Sequence, residues 1–139
     1  MSDTPLLHRD LTDGIIGVYH KAHYELGDGF LEKVCQRALV IALTEAGFEI
    51  AEEAPFRVYF RGRMIGEFFA DIVVNGLVLI EVKSCSALEP RHRAQTMNYL
   101  RASDLEVALL LNFGPKRDFQ RLIFTNDRKQ RANDLAATQ

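Results

Sequence analysis

The chain has 139 residues, a length that suits one domain with a single hydrophobic core and leaves little room for a second. Apolar residues make up 47% and charged residues 26%, which are globular proportions and exclude a disordered or fibrous chain. The net charge of −2 excludes a coat-like protein that binds nucleic acid without sequence preference, because such proteins are strongly basic.

Cysteine usage and the first residues indicate the compartment. Cys35 and Cys85 form no CxxC motif, and residues 1–7 contain neither the basic nor the apolar region of a secretory signal. The longest strongly apolar stretches, such as residues 107–111, are far shorter than the ~20 residues that a membrane helix needs. We therefore predict a cytoplasmic protein with no membrane span and no anchor.

The N-terminal region predicts a first helix that starts at residues 2–4, just before Pro5, and ends near Leu26. Steps of four, three and four residues place apolar side chains on one face of this helix. The predicted face consists of Leu11, Ile15, Val18 and Ala22.

A second helix is predicted after the break at residues 27–29, which read Gly-Asp-Gly. Gly47 is a suitable residue for the position just beyond its C-terminus. The predicted apolar face consists of Leu31, Val34, Ala38, Ile41 and Ala42.

From position 56 the hydrophobic period changes to two, which is typical of β-strands. Alternation over residues 56–61 predicts a first strand, and the turn at residues 62–63 leads into a second strand over residues 64–74. Residues 75–76, Asn-Gly, turn the chain again into a third strand over residues 77–83. The pattern predicts an antiparallel three-stranded meander.

The second half predicts a helix from Glu89-Pro90 to about Ala102, and then a strand in the apolar run of residues 105–113. A turn at residues 114–115 precedes a last strand at residues 119–124. Because a helix joins the third and fourth strands, we expect these two strands to be parallel.

The predicted fold class is therefore α/β, with one mixed sheet flanked by helices in the order αα-βββ-α-ββ. The domain would span residues 1–124, and residues 125–139 would form a polar C-terminal tail.

Three polar residues stand at the ends of neighbouring predicted strands. Asp71 ends one apolar segment, and Glu81 and Lys83 close the next, two residues apart and hence on the same face. Two carboxylates at such a place suit Mg²⁺ or Mn²⁺, and a lysine beside them can orient water or stabilise charge on a phosphate. Two carboxylates and a lysine are the residues that metal-assisted phosphodiester hydrolysis requires. A surface salt bridge between Glu81 and Lys83 would explain the same residues.

Two further features converge on these strand ends. Gln95 and Tyr99 are four residues apart on the next helix, so they share a face that can reach back to the site. Glu32 lies in the first turn of the second helix, outside its apolar face. Its position alone is also explained by a favourable interaction with the helix dipole.

Five short blocks follow one another along the chain: Gly29-Phe30-Leu31-Glu32, Gly66-Glu67-Phe68-Phe69-Ala70-Asp71, Ile80-Glu81-Val82-Lys83, Ala94-Gln95 with Asn98-Tyr99-Leu100, and residues 109–114. In this order they resemble the GxxExxY proteins of the PD-(D/E)xK nuclease superfamily, which has the restriction-endonuclease-like fold. The resemblance runs over residues 11–124, and five ordered blocks are far more specific than any one of them.

The resemblance implies a role for each matching residue. Asp71 and Glu81 would be metal ligands, the backbone carbonyl of Val82 a further ligand, Glu32 a helical carboxylate near the metal, and Lys83 the catalytic lysine.

The resemblance also implies roles at the next helix. Gln95 and Tyr99 match the Q-x-x-x-Y element of nucleases of the RecB and Cas4 type, where these residues face the site or the nucleic-acid strand. One departure is visible, since Cys35 replaces the tyrosine of GxxExxY while every proposed ligand stays in place.

The turn at Asn75-Gly76 provides an internal test of the site. A pure two-residue hairpin would place Asp71 opposite Ile80, so that the carboxylates of Asp71 and Glu81 would point to opposite faces. We therefore predict a three-residue turn or a β-bulge between Ile72 and Ile80, which shifts the register by one and brings the two carboxylates together.

Other groupings of reactive residues rank lower. His20 and His23 have a helical spacing that can bind zinc, but no third soft ligand is near in sequence, and His23 is also an option for an outer contact of the nuclease site. Cys35 is most simply a small core residue. A nucleophilic pair of Cys85 and His92 has no support beyond composition.

Candidate phosphate contacts fall into two groups of basic residues, one on the first hairpin and one at the start of the third helix, where solvated surface charge would also explain them. The residues proposed to contact substrate are Arg61, Arg63, Arg91 and His92, together with Gln95 and Tyr99.

The sequence thus leads us to expect a nuclease that uses Mg²⁺ (or Mn²⁺) to hydrolyse phosphodiester bonds of nucleic acid, with DNA favoured over RNA. A homodimer or larger assembly suits so small a chain. Two alternatives stay open: a module that keeps the nuclease fold and binds nucleic acid or protein without turnover, and a structural domain whose charges only pair with one another.

Overall fold

The computed structural model describes residues 7–129 and shows the predicted element order. Its helices and strands are α1 (Arg9–Leu26), α2 (Glu32–Glu45), β1 (Ile50–Phe60), β2 (Arg63–Val74), β3 (Val78–Lys83), α3 (Pro90–Arg101), β4 (Val107–Asn112) and β5 (Asp118–Ile123).

The strands form one mixed sheet in the order β1-β2-β3-β4-β5. Strands β3 and β4 are parallel and joined by α3, whereas all other neighbouring pairs are antiparallel. Every residue of β4 is buried, as expected for a strand covered on both faces. The α/β class and the αα-βββ-α-ββ order predicted from the sequence are confirmed.

Different helices cover the two faces of the sheet. Successive strand residues point to opposite faces, so Leu109 packs in the cluster formed with α1 and α2, while Ala108 packs in the cluster that contains Leu100 of α3. The sheet is therefore the middle layer, and any site at its edge is bordered by helices from both sides.

Helix α1 begins at Arg9 and not at the predicted start before Pro5, because Leu7 and His8 are not helical; residues 1–6 lie outside the described part. The buried face is wider than the predicted one and centres on Tyr19. Its hydroxyl lies 2.6 Å and 3.0 Å from the carbonyl oxygens of Asn112 and Asp118, which fixes α1 against the ends of β4 and β5.

The predicted apolar face of α2 is wrong at its bulky residues, although Ala42 packs against the core. Leu31, just before the helix, is 78% exposed and Ile41 is 58% exposed, whereas Cys35, Leu39 and Leu43 are fully buried. The helix carries apolar residues on two faces, and the face that contains Cys35 packs against the core. The prediction that Cys35 is a small core residue is confirmed.

Helix α2 ends as its glycine predicts. Gly47 has φ 97°, and the amide of Phe48 donates to the carbonyl of Leu43 at 3.1 Å. This reversal satisfies the last carbonyls of the helix and sends the chain into β1.

Strand β1 begins at Ile50, six residues before its predicted start, and contains two irregularities. Glu53 has φ 55°, and the register shifts between Val58 and Tyr59. The shift turns Phe60 outward, where it is 54% exposed, so the regular alternation predicted up to this residue does not hold.

Residues beyond the predicted domain limit at residue 124 also pack against the domain. A 3₁₀ turn, Asn126–Arg128, follows β5, and the Lys129 ammonium donates to the carbonyls of Ser103 and Leu105, both at 2.7 Å. The limits of the domain stay a prediction, because residues 130–139 lie outside the described part. In residues 7–129 no helix is long and apolar enough to cross a membrane.

Gly114 lies where the loop after β3 meets the loop after β4. A Cβ atom at Gly114 would overlap the carbonyl oxygen of Cys85. We expect Gly114→Ala to lower the free energy of unfolding by about 1–3 kcal/mol in chemical denaturation, as overpacking does. The matched variant Gly17→Ala adds a methyl group on α1 with no atom within 4 Å, and should stabilise by about 0.5–1 kcal/mol. A Gly114→Ala protein as stable as the wild type would contradict the packing.

Candidate metal and nucleic-acid site

The turn between β2 and β3 has the geometry that a shared site requires. It contains three residues, 75–77, and the paired register runs from Val74–Val78 to Ile72–Ile80. One step further along this register places Asp71 opposite Glu81. The predicted three-residue turn is confirmed.

Asp71 and Glu81 hold each other in place. The backbone amide of Asp71 donates to Oε2 of Glu81 at 3.1 Å, and the amide of Val82 donates to Oδ2 of Asp71 at 2.8 Å. These two bonds follow the last pair of the β2–β3 ladder, Ile72–Ile80. At this position the backbone amides donate to carboxylate oxygens and not to backbone carbonyls. The strand ends are therefore joined through the two carboxylates.

The two carboxyls are costly to ionise where they lie. Glu81 is 6% exposed, and burial, followed by the charge of Asp71, raises the pKa of Glu81 from 4.5 to about 8. Burial also raises the pKa of Asp71, against the opposing effect of the Val82 amide. In the metal-free protein Glu81 keeps its proton at pH 7.

Lys83 and Glu32 lie within electrostatic range of this pair. After burial and the nearer contacts, the charge of Lys83 lowers the pKa of both Asp71 and Glu81, and the charge of Glu32 raises both. Glu32 is the exposed first residue of α2, and Lys83 is the half-buried last residue of β3. The structure thus brings the four proposed catalytic residues to one end of the β2–β3 pair.

The sequence did not predict a hydrogen-bonded group of side chains on α2 and β1 that contacts the backbone of Asp71. Gln36 donates to the carbonyl of Asp71 at 3.2 Å and to Oε2 of Glu53 at 2.7 Å, and Lys33 donates to the same oxygen at 2.6 Å. Glu53 is the residue with φ 55°, so a strained backbone is held in place beside the site. No local sequence pattern indicates this group, because Gln36 lies 17 and 35 residues from its partners.

The donor set fits a hard divalent cation. Two carboxylates are adjacent and largely buried, and both pKa values are raised, so a positive ion between them would relieve their repulsion. In residues 7–129 no three His, Cys, Asp or Glu side chains converge on one point. Further ligands would therefore come from a backbone carbonyl and water. The carbonyl of Val82 suits this role, because the N–H and C=O of one strand residue point to the same edge, here toward Asp71.

Comparison with known proteins agrees with this geometry. The family model described as PD-(D/E)XK nuclease superfamily matches residues 9–122. The chain belongs to the PD-(D/E)XK nuclease superfamily. A crystal structure of the protein SSO0001 aligns with a TM-score of 0.54 and 16% identity, over 76% of this chain and 54% of that one, which is a likeness in fold alone. The chain thus spans about half the length of that protein. A search of curated proteins found no match.

Among the substrate contacts proposed for this superfamily member, Tyr99 lies within electrostatic range of the carboxylates. Burial raises the pKa of its hydroxyl, and the charges of Glu81 and Asp71 raise it further. Its ring stacks on Phe68 with centroids 4.0 Å apart. Gln95 is exposed one turn earlier on α3. Both remain predicted contacts.

The basic residues are spread over two places. Arg61 and Arg63 lie exposed at the β1–β2 turn, where the Arg61 guanidinium stacks over Phe60. Arg91, at the start of α3, is paired with Glu89 at 2.7 Å. These three arginines remain predicted phosphate contacts.

His92 has a different place from the one predicted. It is 6% exposed, and its Nδ1 accepts the backbone amide of Glu89 at 3.0 Å, which caps the start of α3. Burial and this cap make His92 part of the helix start, so its position does not support a surface phosphate contact.

The remaining alternatives also receive structural explanations. Nε2 of His23 lies 2.8 Å from the carbonyl oxygen of Gly114, and Nδ1 accepts from Arg117 at 3.3 Å, so both ring nitrogens are engaged within the protein. This leaves neither nitrogen for zinc or for substrate. The Cys85 thiol contacts the carbonyl oxygen of Ala87 at 3.2 Å, and no hydrogen bond joins it to His92 in the described residues.

Proposed function

We propose that the protein is a divalent-metal-dependent nuclease of the GxxExxY type that hydrolyses phosphodiester bonds of nucleic acid. The observation that carries this proposal is the pairing of Asp71 with Glu81 across the β2–β3 turn, with Lys83 two residues further along β3. Membership of the PD-(D/E)XK nuclease superfamily supports the reaction class.

Each residue of the site has a role in the proposed reaction. Asp71, Glu81 and the Val82 carbonyl would hold Mg²⁺ or Mn²⁺, and Glu32 would support the ion or its water. When bound, the ion supplies a stabilising charge for the phosphate and a more acidic water. Lys83 would orient the attacking water and help to activate it. Gln36 and the Lys33–Glu53 pair keep Asp71 in register.

Finer features of the proposal rest on the sequence. DNA as the preferred substrate, a homodimer or larger assembly and a cytoplasmic location all follow from the resemblance or from composition. The arginines at the hairpin turn and at the start of α3 would meet phosphates without reading sequence.

Lys83→Ala tests the proposal most directly. We expect the variant to bind Mn²⁺ as the wild type does, judged by the metal-dependent rise in Tm, and to cleave labelled single- and double-stranded DNA and RNA about 10²- to 10⁴-fold more slowly. Lys21→Ala, an exposed lysine of α1, is the matched control and should cleave at the wild-type rate. Metal binding by the wild type without cleavage of any substrate would favour the non-catalytic binding module.

A further inference from the structure

A cavity of about 520 Å³ opens between the β1–β2 hairpin and the second half of α3. This volume is within the range of small-ligand sites. Most of its walls are apolar or aromatic, and a few polar groups stand among them. The lining residues that matter for its chemistry are Tyr59, Gly66, Phe68, Asn98, Tyr99 and Arg101.

Aromatic rings are already stacked on one side of this cavity. Phe56 stacks on Phe68 with centroids 5.3 Å apart, and Phe68 stacks on Tyr99 at 4.0 Å with nearly parallel planes. Phe68 therefore has a ring on each side, whereas Tyr99 ends the stack and contacts no second aromatic ring within residues 7–129. A planar ligand in the cavity could extend the stack from Tyr99.

The polar groups of the wall are available to a ligand. Within residues 7–129, the side chains of Tyr59, Asn98 and Tyr99 make no hydrogen bond to protein, although each borders the cavity. An amide can both donate and accept, which is what the edge of a nucleobase requires. The cavity thus offers the ring of Tyr99 for stacking and the amide of Asn98 for the edge of a base. Its charged lining residues are Glu67 and Arg101, and the Arg101 guanidinium stacks over Phe124 at 5.2 Å.

Strand β2 borders the cavity and also carries Asp71 of the proposed catalytic site. Phe68 precedes Asp71 by three residues, which is about 10 Å along a strand. A strand whose base occupied the cavity would therefore have a phosphate within one or two nucleotides of the carboxylates.

We propose that this cavity holds one unpaired nucleobase of the substrate strand, stacked on Tyr99 and contacted at its edge by Asn98, so that the enzyme prefers single-stranded nucleic acid. The inference rests on the proposed nuclease function. A base inside a duplex is stacked on both faces and paired at its edge, and cannot enter without being extruded, whereas an unpaired base enters at little cost.

Gly66→Leu tests the inference by filling the cavity. Gly66 and Phe68 are two residues apart on β2 and point to the same face, and a Cβ at Gly66 meets no atom within 4 Å. Gly17→Leu is the matched control, because a Cβ at Gly17 also meets open space, on an exposed part of α1. A second variant, Asn98→Ala, removes only an exposed side chain, and Tm measurements verify the fold of all three.

The probes are a fluorescein-labelled single-stranded oligonucleotide, the same sequence as a duplex, and a strand with abasic sites. Binding is measured by fluorescence anisotropy in EDTA, so that hydrolysis does not interfere. We expect the intact single strand to bind tightest, and its Kd to rise about tenfold in Gly66→Leu and severalfold in Asn98→Ala, with no change in Gly17→Leu. The abasic strand should bind weakly to every variant alike.

Two outcomes would overturn the inference: equal affinity of the wild type for single and double strands, or an unchanged Kd for the single strand in Gly66→Leu and Asn98→Ala. Cleavage is measured separately with Mn²⁺. Cleavage with no effect of the cavity variants would refute the base site and leave the nuclease standing. Cavity-dependent binding without cleavage would refute the nuclease and support the base site.

Discussion

Asp71→Asn is expected to abolish the metal-dependent rise in Tm and to lower the rate of hydrolysis at least about 10³-fold, because a catalytic metal supplies several kcal/mol of transition-state stabilisation. An ion at ten times its Kd should raise the Tm of the wild type by about 5 °C. Asparagine keeps an oxygen for the Val82 amide, so the metal-free fold should persist. Thermal denaturation with and without Mg²⁺ or Mn²⁺, together with cleavage rates, measures both effects.

Asp127→Asn is the matched control for Asp71→Asn, since it changes the net charge equally at an exposed residue of the 3₁₀ turn. It should retain both the metal-dependent shift and the activity. If Asp71→Asn still gained stability from millimolar Mg²⁺, the metal would bind elsewhere and the proposed role of Asp71 would be refuted.

Glu81 is expected to make the metal-free protein less stable as the pH rises from about 5 to 8. Its pKa is 4.5 when unperturbed and about 8 in the folded protein, so in this window the native state holds a proton that the unfolded state has lost. The stabilisation is complete below pH 4.5 and is lost as the pH rises through 8. The total loss is on the order of 5 kcal/mol.

Glu81→Gln removes this titration. In EDTA the variant should resemble the wild type at pH 5 and have a higher Tm, by about 10 °C, at pH 8.5. Mg²⁺ at ten times its Kd should narrow this difference at pH 8.5 by about 5 °C, because the ion stabilises only the wild type, whose ionised pair binds it. Glu25→Gln, an exposed residue of α1, should follow the wild type throughout. A Tm difference between Glu81→Gln and the wild type that did not vary with pH would contradict the raised pKa.

Much of the site was predictable because strand geometry is periodic. A period of two means that Asp71 and Glu81 can share a face only for certain turn lengths, so the chemistry of the carboxylates predicted a three-residue turn before the register was known. The start of α3 at Glu89-Pro90 and the end of α2 at Gly47 were predictable for a similar reason, since each depends on local backbone chemistry.

Other features depended on contacts between distant segments. The apolar pattern of α2 indicated Leu31 and Ile41 as core residues, yet the helix packs through Cys35 and Leu39. His92 carries the same ring whether it meets solvent or caps α3, and only burial decides between them. Gln36 joins Glu53 to Asp71 across separations of 17 and 35 residues, which no local pattern reveals.

The sequence by itself determined the order of elements, the α/β class and the residue types of the proposed site, because periodicity, turn residues and ligand chemistry are local properties. The tertiary structure decided how these parts act together. Burial between β2 and β3 raises the pKa of Glu81, the bonds through Val82 and Gln36 fix Asp71, and the stack that ends at Tyr99 forms a cavity beside them. The raised pKa, the fixed position of Asp71 and the cavity all depend on which segments pack against each other and exclude water, and only the folded chain decides that.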